Sequence, residues 1–223
     1  MRKTFLAITL FLAFSKAALA QFGNCTASEM RTYVDSATGN TITMLTDTMK
    51  NDRFLYQTDP MWTADGKYLL FRSSSRGNDK EVESTLPNGE KRKWTPTQIY
   101  FIEMATGKII QATEGPNLGS AFLANKTNRM FVSRKEKENW NMYVMDLDKF
   151  FADVKQGKVG KPSAYETFIG TFPTEMGRPG GYAVDCNDDY AYITVEREGT
   201  EEEKERMMKN AFLPESNPVS YTH

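Results

Sequence analysis

Trp62-Thr-Ala-Asp65-Gly66-Lys67-Tyr-Leu-Leu-Phe71-Arg72 holds an apolar entry, an Asp-Gly turn of the kind that joins antiparallel strands, and a buried strand. About sixty residues on, the pattern returns as Phe122-Leu-Ala-Asn125-Lys-Thr-Asn-Arg-Met130-Phe131-Val132, and after a similar interval as Tyr182-Ala-Val-Asp185-Cys-Asn187-Asp-Asp-Tyr190-Ala-Tyr192-Ile-Thr-Val195. A second phrase is interleaved with it. Thr97-Gln-Ile-Tyr-Phe-Ile-Glu-Met104-Ala-Thr106-Gly107-Lys-Ile-Ile-Gln-Ala-Thr113 reads as strand, Thr-Gly turn and return strand. Tyr33-Val-Asp35-Ser-Ala-Thr38-Gly39 through Thr46 repeats it, and Trp140 to Asp148 is a divergent copy followed by a Lys- and Gly-rich insertion, Phe150 to Ser163. Two hairpins per repeat at a long fixed period is how a four-stranded propeller blade reads, so the chain is all-β. Trp62, Phe71, Phe122 and Tyr182 are its expected core positions.

Repeats starting near Phe54, Gly119 and Phe168, together with the lone hairpin at Tyr33, give about three blades of four antiparallel strands. Propellers close with about four to eight. The expectation is an incomplete ring over residues 21–223, arising from a truncated gene product, an unusual closure, or self-association at an open propeller edge. The charged stretch Arg76 to Lys93 reads as a solvated loop. Thr200 and Glu203 form a capping box that predicts a short helix near 200–210.

The full sequence has 223 residues, 28 basic against 29 acidic, and is 39% hydrophobic, a globular profile without the positive excess that gripping a nucleic-acid backbone requires. Residues 1–20 carry a positive start (Arg2, Lys3), an apolar run from Phe5 to Phe14 and an Ala18-Leu19-Ala20 cleavage site. This predicts a bacterial signal peptide cut after Ala20 and a secreted or periplasmic mature chain. The run is too short for a membrane anchor, and the residues before Cys25 do not suit lipidation. In an oxidising compartment Cys25 and Cys186 are a candidate disulfide, with two buried thiols as the alternative. Two distant cysteines and one histidine offer no zinc spacing.

Tyr33-Val-Asp-Ser-Ala-Thr-Gly39, Leu45-Thr46, Arg53-Phe-Leu-Tyr56-Gln57, Trp62 to Phe71 and Ala112-Thr-Glu-Gly115 run in the order found in the oligogalacturonate lyases. Over about Arg31 to Leu147 the chain resembles that family of seven-bladed propellers, which also share repeats with TolB-type propellers. The resemblance implies β-elimination in α-1,4-linked oligogalacturonates during pectin degradation. There a divalent metal, typically manganese, held by histidines and a glutamine, and supported by arginine, neutralises the substrate carboxylate, and a histidine is the base. This sequence has only His223, so no catalytic residue or metal ligand carries over, and Asp52 stands where many members have a histidine. Arg53, Tyr56 and Gln57 match the family's first-blade segment and are candidate contacts for a uronate oligosaccharide. Arg72 and Arg134 after central strands, and Arg178 in a Gly/Pro-rich loop, are further candidates from residue chemistry. The alternative reading is a non-catalytic TolB-like propeller binding a glycan or protein partner in the cell envelope. A propeller attached to a serine peptidase would need a G-x-S-x-G elbow, which this sequence does not contain.

Overall fold

The computed structural model describes residues 22–77, 81–85, 89–172, 178–196 and 202. The signal peptide lies outside the described residues, as does the helix expected near 200–210 except for Glu202, which is helical. In chain order the strands are β1 (Cys25–Thr26), β2 (Arg31–Val34), β3 (Thr41–Met44), β4 (Asp52–Arg53), β5 (Tyr68–Ser73), β6 (Val82–Thr85), β7 (Lys91–Trp94), β8 (Gln98–Glu103), β9 (Ile109–Gln111), β10 (Leu118–Leu123), β11 (Arg129–Glu136) and β12 (Asn139–Asp146). Helix α1 (Leu147–Gln156) and a short 3-10 turn (Pro162–Ala164) follow, then β13 (Glu166–Thr171), β14 (Arg178–Val184) and β15 (Ala191–Glu196).

Among the described residues the strands form antiparallel sheets that do not close into a ring. The first blade runs β4-β5-β8-β9 with β1 added at its outer edge, and the second runs β10-β11-β12-β13. Glu166–Thr171 therefore closes the second blade, where the repeat pattern had placed the start of a third. The third unit is the hairpin β14–β15, and β2–β3 is a separate hairpin near the N-terminus. The described part of Arg76 to Lys93 is not a loop alone, because β6 pairs with β7 in full register, Val82 opposite Trp94 and Thr85 opposite Lys91.

Alternation along the strands gives each blade two apolar faces. Leu70, Phe101 and Ile110 of the first blade meet Leu123, Met130 and Val132 of the second in one continuous core. The opposite face of the first blade, Phe71, Tyr100, Ile102 and Ile109, is covered by Leu45 and Met104. The far face of the second, Phe122, Phe131 and Met142, is covered by Tyr182, Val184 and Ile193 of the third unit. Phe71 and Phe122 are thus core as expected, whereas Trp62 is 47% exposed, because its residue bridges Leu69 at the sheet edge.

The insertion after β12 is a helix. Asp146 accepts the Lys149 N–H at its N-terminus, and Gly157 takes a left-handed φ of 64° to end it. Its apolar residues Leu147, Phe150 and Phe151 are buried, and Phe151 reaches the first blade, where it stacks on Tyr68 at 3.6 Å between centroids and meets Phe101 edge-on. Turns of neighbouring units are also tied. The Asp65 N–H donates to Asn128 Oδ1, and the Asp188 carboxylate accepts from the N–H groups of Asn125, Lys126 and Thr127.

Truncating Phe151 to alanine removes the clamp between the two blades and is expected to cost about 3–5 kcal/mol in denaturant unfolding. Asp146→Ala, which removes only the cap, is expected to cost about 1 kcal/mol. Equal losses would show that α1 does not clamp the blades.

Candidate functional site

The inner strands converge on a cleft of about 760 Å³ lined by Asn51, Arg53, Tyr56, Asp59, Arg72, Trp94 and parts of β10 and β14. Arg53 and Arg72 are directly opposed in the β4–β5 ladder, so their side chains leave the same face of the sheet. Both are exposed, and neither has an ion-pair partner among the described residues. Like charges directly opposite destabilise a sheet by a few tenths of a kcal/mol or more, which an incoming anion would reverse. Asn51 Nδ2 donates to Ser74 Oγ at 2.7 Å on the same wall. Trp94 and Tyr56, 39% and 56% exposed, supply aromatic surface.

Of the residues singled out from sequence, Arg53, Tyr56 and Arg72 share this cleft. Gln57 sits in an exposed turn and does not line it. Arg134 is committed elsewhere: its Nη1 and Nη2 donate to both oxygens of Glu166 at 2.9 and 2.8 Å, and its guanidinium lies over Tyr143. That two-pronged pairing raises the guanidinium pKa, first through the Glu166 hydrogen bonds and then against the opposing effect of burial. Arg178 opens strand β14 rather than standing in a loop, and the Gly180-Gly181 pair forms the irregularity between Pro179 and Tyr182. Cys25 and Cys186 form neither the candidate disulfide nor the pair of buried thiols that was its alternative. Both thiols are free and exposed, one on β1 at the outer edge of the first blade and the other in the β14–β15 turn.

Sequence reading missed Trp94, hidden in a stretch whose lysines and arginines read as solvated. It also missed the partners of Arg76. That guanidinium, 6% exposed, donates to Glu29 at 2.9 and 2.6 Å and through Nε to Asp52 at 2.8 Å, with the Phe71 ring beneath it. Asp52, just before the Arg53 segment, is thus a structural counter-ion. Glu29 also accepts the Asp47 N–H, so the node fastens the segment bearing β2–β3 to the first blade.

Among the described residues no three of His, Cys, Asp and Glu come together as a metal site. Among the described residues the cleft offers a divalent cation one carboxylate, Asp59, on a wall that carries two guanidinium groups, and His223 lies outside the described residues. These donors do not fit manganese.

Comparison with protein families and with curated proteins finds no match. Comparison with solved structures does. An oligogalacturonate lyase in complex with manganese matches with a TM-score of 0.51 and 20% identity, over 75% of this chain and 36% of that one. Oligogalacturonate lyase from Vibrio parahaemolyticus matches with a TM-score of 0.51 and 21% identity, over 74% and 35%. The fold is similar to part of an oligogalacturonate lyase. The chain spans about a third of the length of those proteins, as an unclosed part of a propeller does.

The Arg76 node generates a pH test. The hydrogen bond from Arg76 outweighs burial and holds the Glu29 carboxyl below its ordinary value of 4.5. A depressed folded-state pKa contributes stability that is present above that value and is lost as pH falls through the folded one. Arg76→Gln, which strands two carboxylates, is expected to cost about 3 kcal/mol near neutrality. The deficit relative to wild type should shrink in urea unfolding as pH is lowered below 4.5. A deficit independent of pH would show that the node is not an ionic lock.

Proposed function

We propose that this chain binds an oligogalacturonate or related uronate oligosaccharide in the cleft, as an oligogalacturonate lyase-like protein of pectin degradation acting outside the cytoplasm. One observation carries the proposal: Arg53 and Arg72 are opposed across a ladder with no carboxylate partner among the described residues, while the buried Arg76 and the largely buried Arg134 each have carboxylate partners. A uronate carboxylate supplies the missing charge, and its planar geometry suits two-pronged guanidinium contact. Trp94 and Tyr56 provide apolar surface for the flat side of a pyranose ring, completing a site of mixed character typical of small-ligand clefts.

In β-elimination the proton at C5, next to the carboxylate, must leave as O4 departs. Neutralising the carboxylate lowers the energy of the carbanion-like transition state, and that is the step Arg53 and Arg72 can assist. Proton removal from C5 needs a positioned base. Among the described residues of the cleft wall Asp59 is the one carboxylate, and Tyr56 is an exposed phenol. The proposal therefore assigns carboxylate recognition to this chain's residues and assigns none of them the role of base.

Titrating trigalacturonate while following Trp94 fluorescence tests the reading. Arg53→Gln or Arg72→Gln is expected to weaken binding at least tenfold, consistent with about 1.5–3 kcal/mol for hydrogen bonds to a charged group. A neutral galactose trimer should not bind. Equal affinity for the acidic and neutral trimers, or no effect of either substitution, would overturn it. In parallel, ultraviolet absorbance of the unsaturated product, with manganese added and then chelated, reports whether elimination accompanies binding.

A further inference from the structure

Strands β5 and β8 are neighbours in the first blade, with Ser73 opposite Gln98, so a loop of about 2–5 residues would suffice to join them. The chain instead spends residues 74–97 on the connection and builds the β6–β7 hairpin within it. This excursion leaves and re-enters the blade one ladder position from the opposed Arg53 and Arg72. At its two roots Ser74, Trp94, Pro96 and Thr97 line the cleft, so the hairpin stands at the cleft's rim.

Alternation along β7 sorts its charges. Lys91 and Lys93 share one face with Glu83 of β6, since Glu83 is directly opposite Lys93 and Lys91 Nζ lies 2.7 Å from its Oε1. That face carries its own counter-charge. Arg92 and Trp94 share the other face, across from Ser84 and Val82, and neither strand places a carboxylate there. Arg92 is exposed and makes no ion pair among the described residues. Because Trp94 is the residue of β7 that lines the cleft, Arg92 is the cation aligned with it, two residues or about 7 Å farther along the strand.

We propose that β7 is a second subsite of the cleft, in which Trp94 packs against a sugar ring and Arg92 takes the carboxylate of a further uronate. The chain then selects longer runs of acidic sugars over the dimer. This inference rests on the uronate reading of the cleft and adds a length dependence to it. A uronate oligosaccharide repeats one planar carboxylate per ring, so a guanidinium beyond the Arg53 and Arg72 pair meets the same anion again. The aromatic face of Trp94 serves the apolar side of the ring held between them. Lys91 and Lys93, on the opposite face, take no part.

Isothermal calorimetry on the whole chain, with digalacturonate and tetragalacturonate as probes, tests the subsite. Tetragalacturonate is expected to bind about tenfold more tightly, and Arg92→Gln to remove about that factor while changing digalacturonate affinity by less than about twofold. Lys93→Gln deletes the same charge from the opposite face and should change neither. Equal losses from Arg92→Gln and Lys93→Gln would indicate diffuse attraction by a basic hairpin and overturn the subsite. An Arg92→Gln chain that keeps the full preference for the tetramer would also overturn it, and if Arg53→Gln still weakens digalacturonate binding, the cleft reading stands alone. Failure of both probes to bind the wild-type chain would overturn the cleft reading and the subsite with it.

Discussion

A propeller blade is a thin sheet with apolar side chains on both faces, so it is stable only when each face is covered. The first blade shows the constraint most clearly. Leu70 and Phe101 point into the second blade, and Phe71 and Ile102 point the other way onto Leu45 and Met104. At roughly 25 cal/mol per Å² of apolar surface removed from water, such faces supply most of the favourable free energy of the fold. Helix α1 serves the same constraint from outside the ladder. Its Phe151 inserts beside Tyr68 and Phe101, so the joint between two thin sheets is filled by aromatic rings from a third element. The turn-to-turn bonds through Asn128 and Asp188 then fix the rotation of each unit against the next.

The same requirement explains what was legible in the sequence. Alternating apolar positions and fixed turn residues recur because every blade solves one problem, so the hairpins at Asp65, Asn125, Asp185 and Thr106-Gly107 could be placed to within a residue or two. Pairing across blades leaves no such periodic trace. The boundary at Phe168 was misplaced because α1 separates β12 from β13, which postpones the closing strand of the second blade. The helix itself carried a readable signal. Asp146, the apolar spacing of Leu147, Phe150, Phe151 and Val154, and Gly157 make a capped amphipathic helix. The Lys and Gly content of the insertion masked that pattern.

The site was half legible for a related reason. Residue type identifies a guanidinium as an anion binder, but only the fold decides whether its anion is internal. Arg134 read like Arg72 in sequence, since both come from the second strand of a blade. Glu166, which neutralises Arg134, arrives from β13 after the helix. Arg76 lay in a stretch that looked solvated, yet its side chain is 6% exposed and is matched by carboxylates from two distant segments. Trp94 was invisible because its neighbours Lys91, Arg92 and Lys93 are exposed charges on the same short strand.

These four arginines separate the structural charges from the available ones. Arg76 and Arg134 are each covered, stacked over an aromatic ring and matched by carboxylates, the arrangement that desolvating a guanidinium demands. Arg53 and Arg72 remain solvated, and water bears the cost of keeping two cations side by side. The short β4–β5 ladder sorts them. It sets Asp52 opposite Ser73 and leaves the Asp52 carboxylate to Arg76, then sets Arg53 against Arg72 one residue further on, at the inner edge of the blade. Residues on the inner strands are the ones a propeller turns toward its axis. The bare cationic pair therefore lies where the fold itself makes a concave surface, together with Trp94 and Tyr56, and this coincidence of unbalanced charge with concavity is what marks the cleft as a site for an anionic ligand.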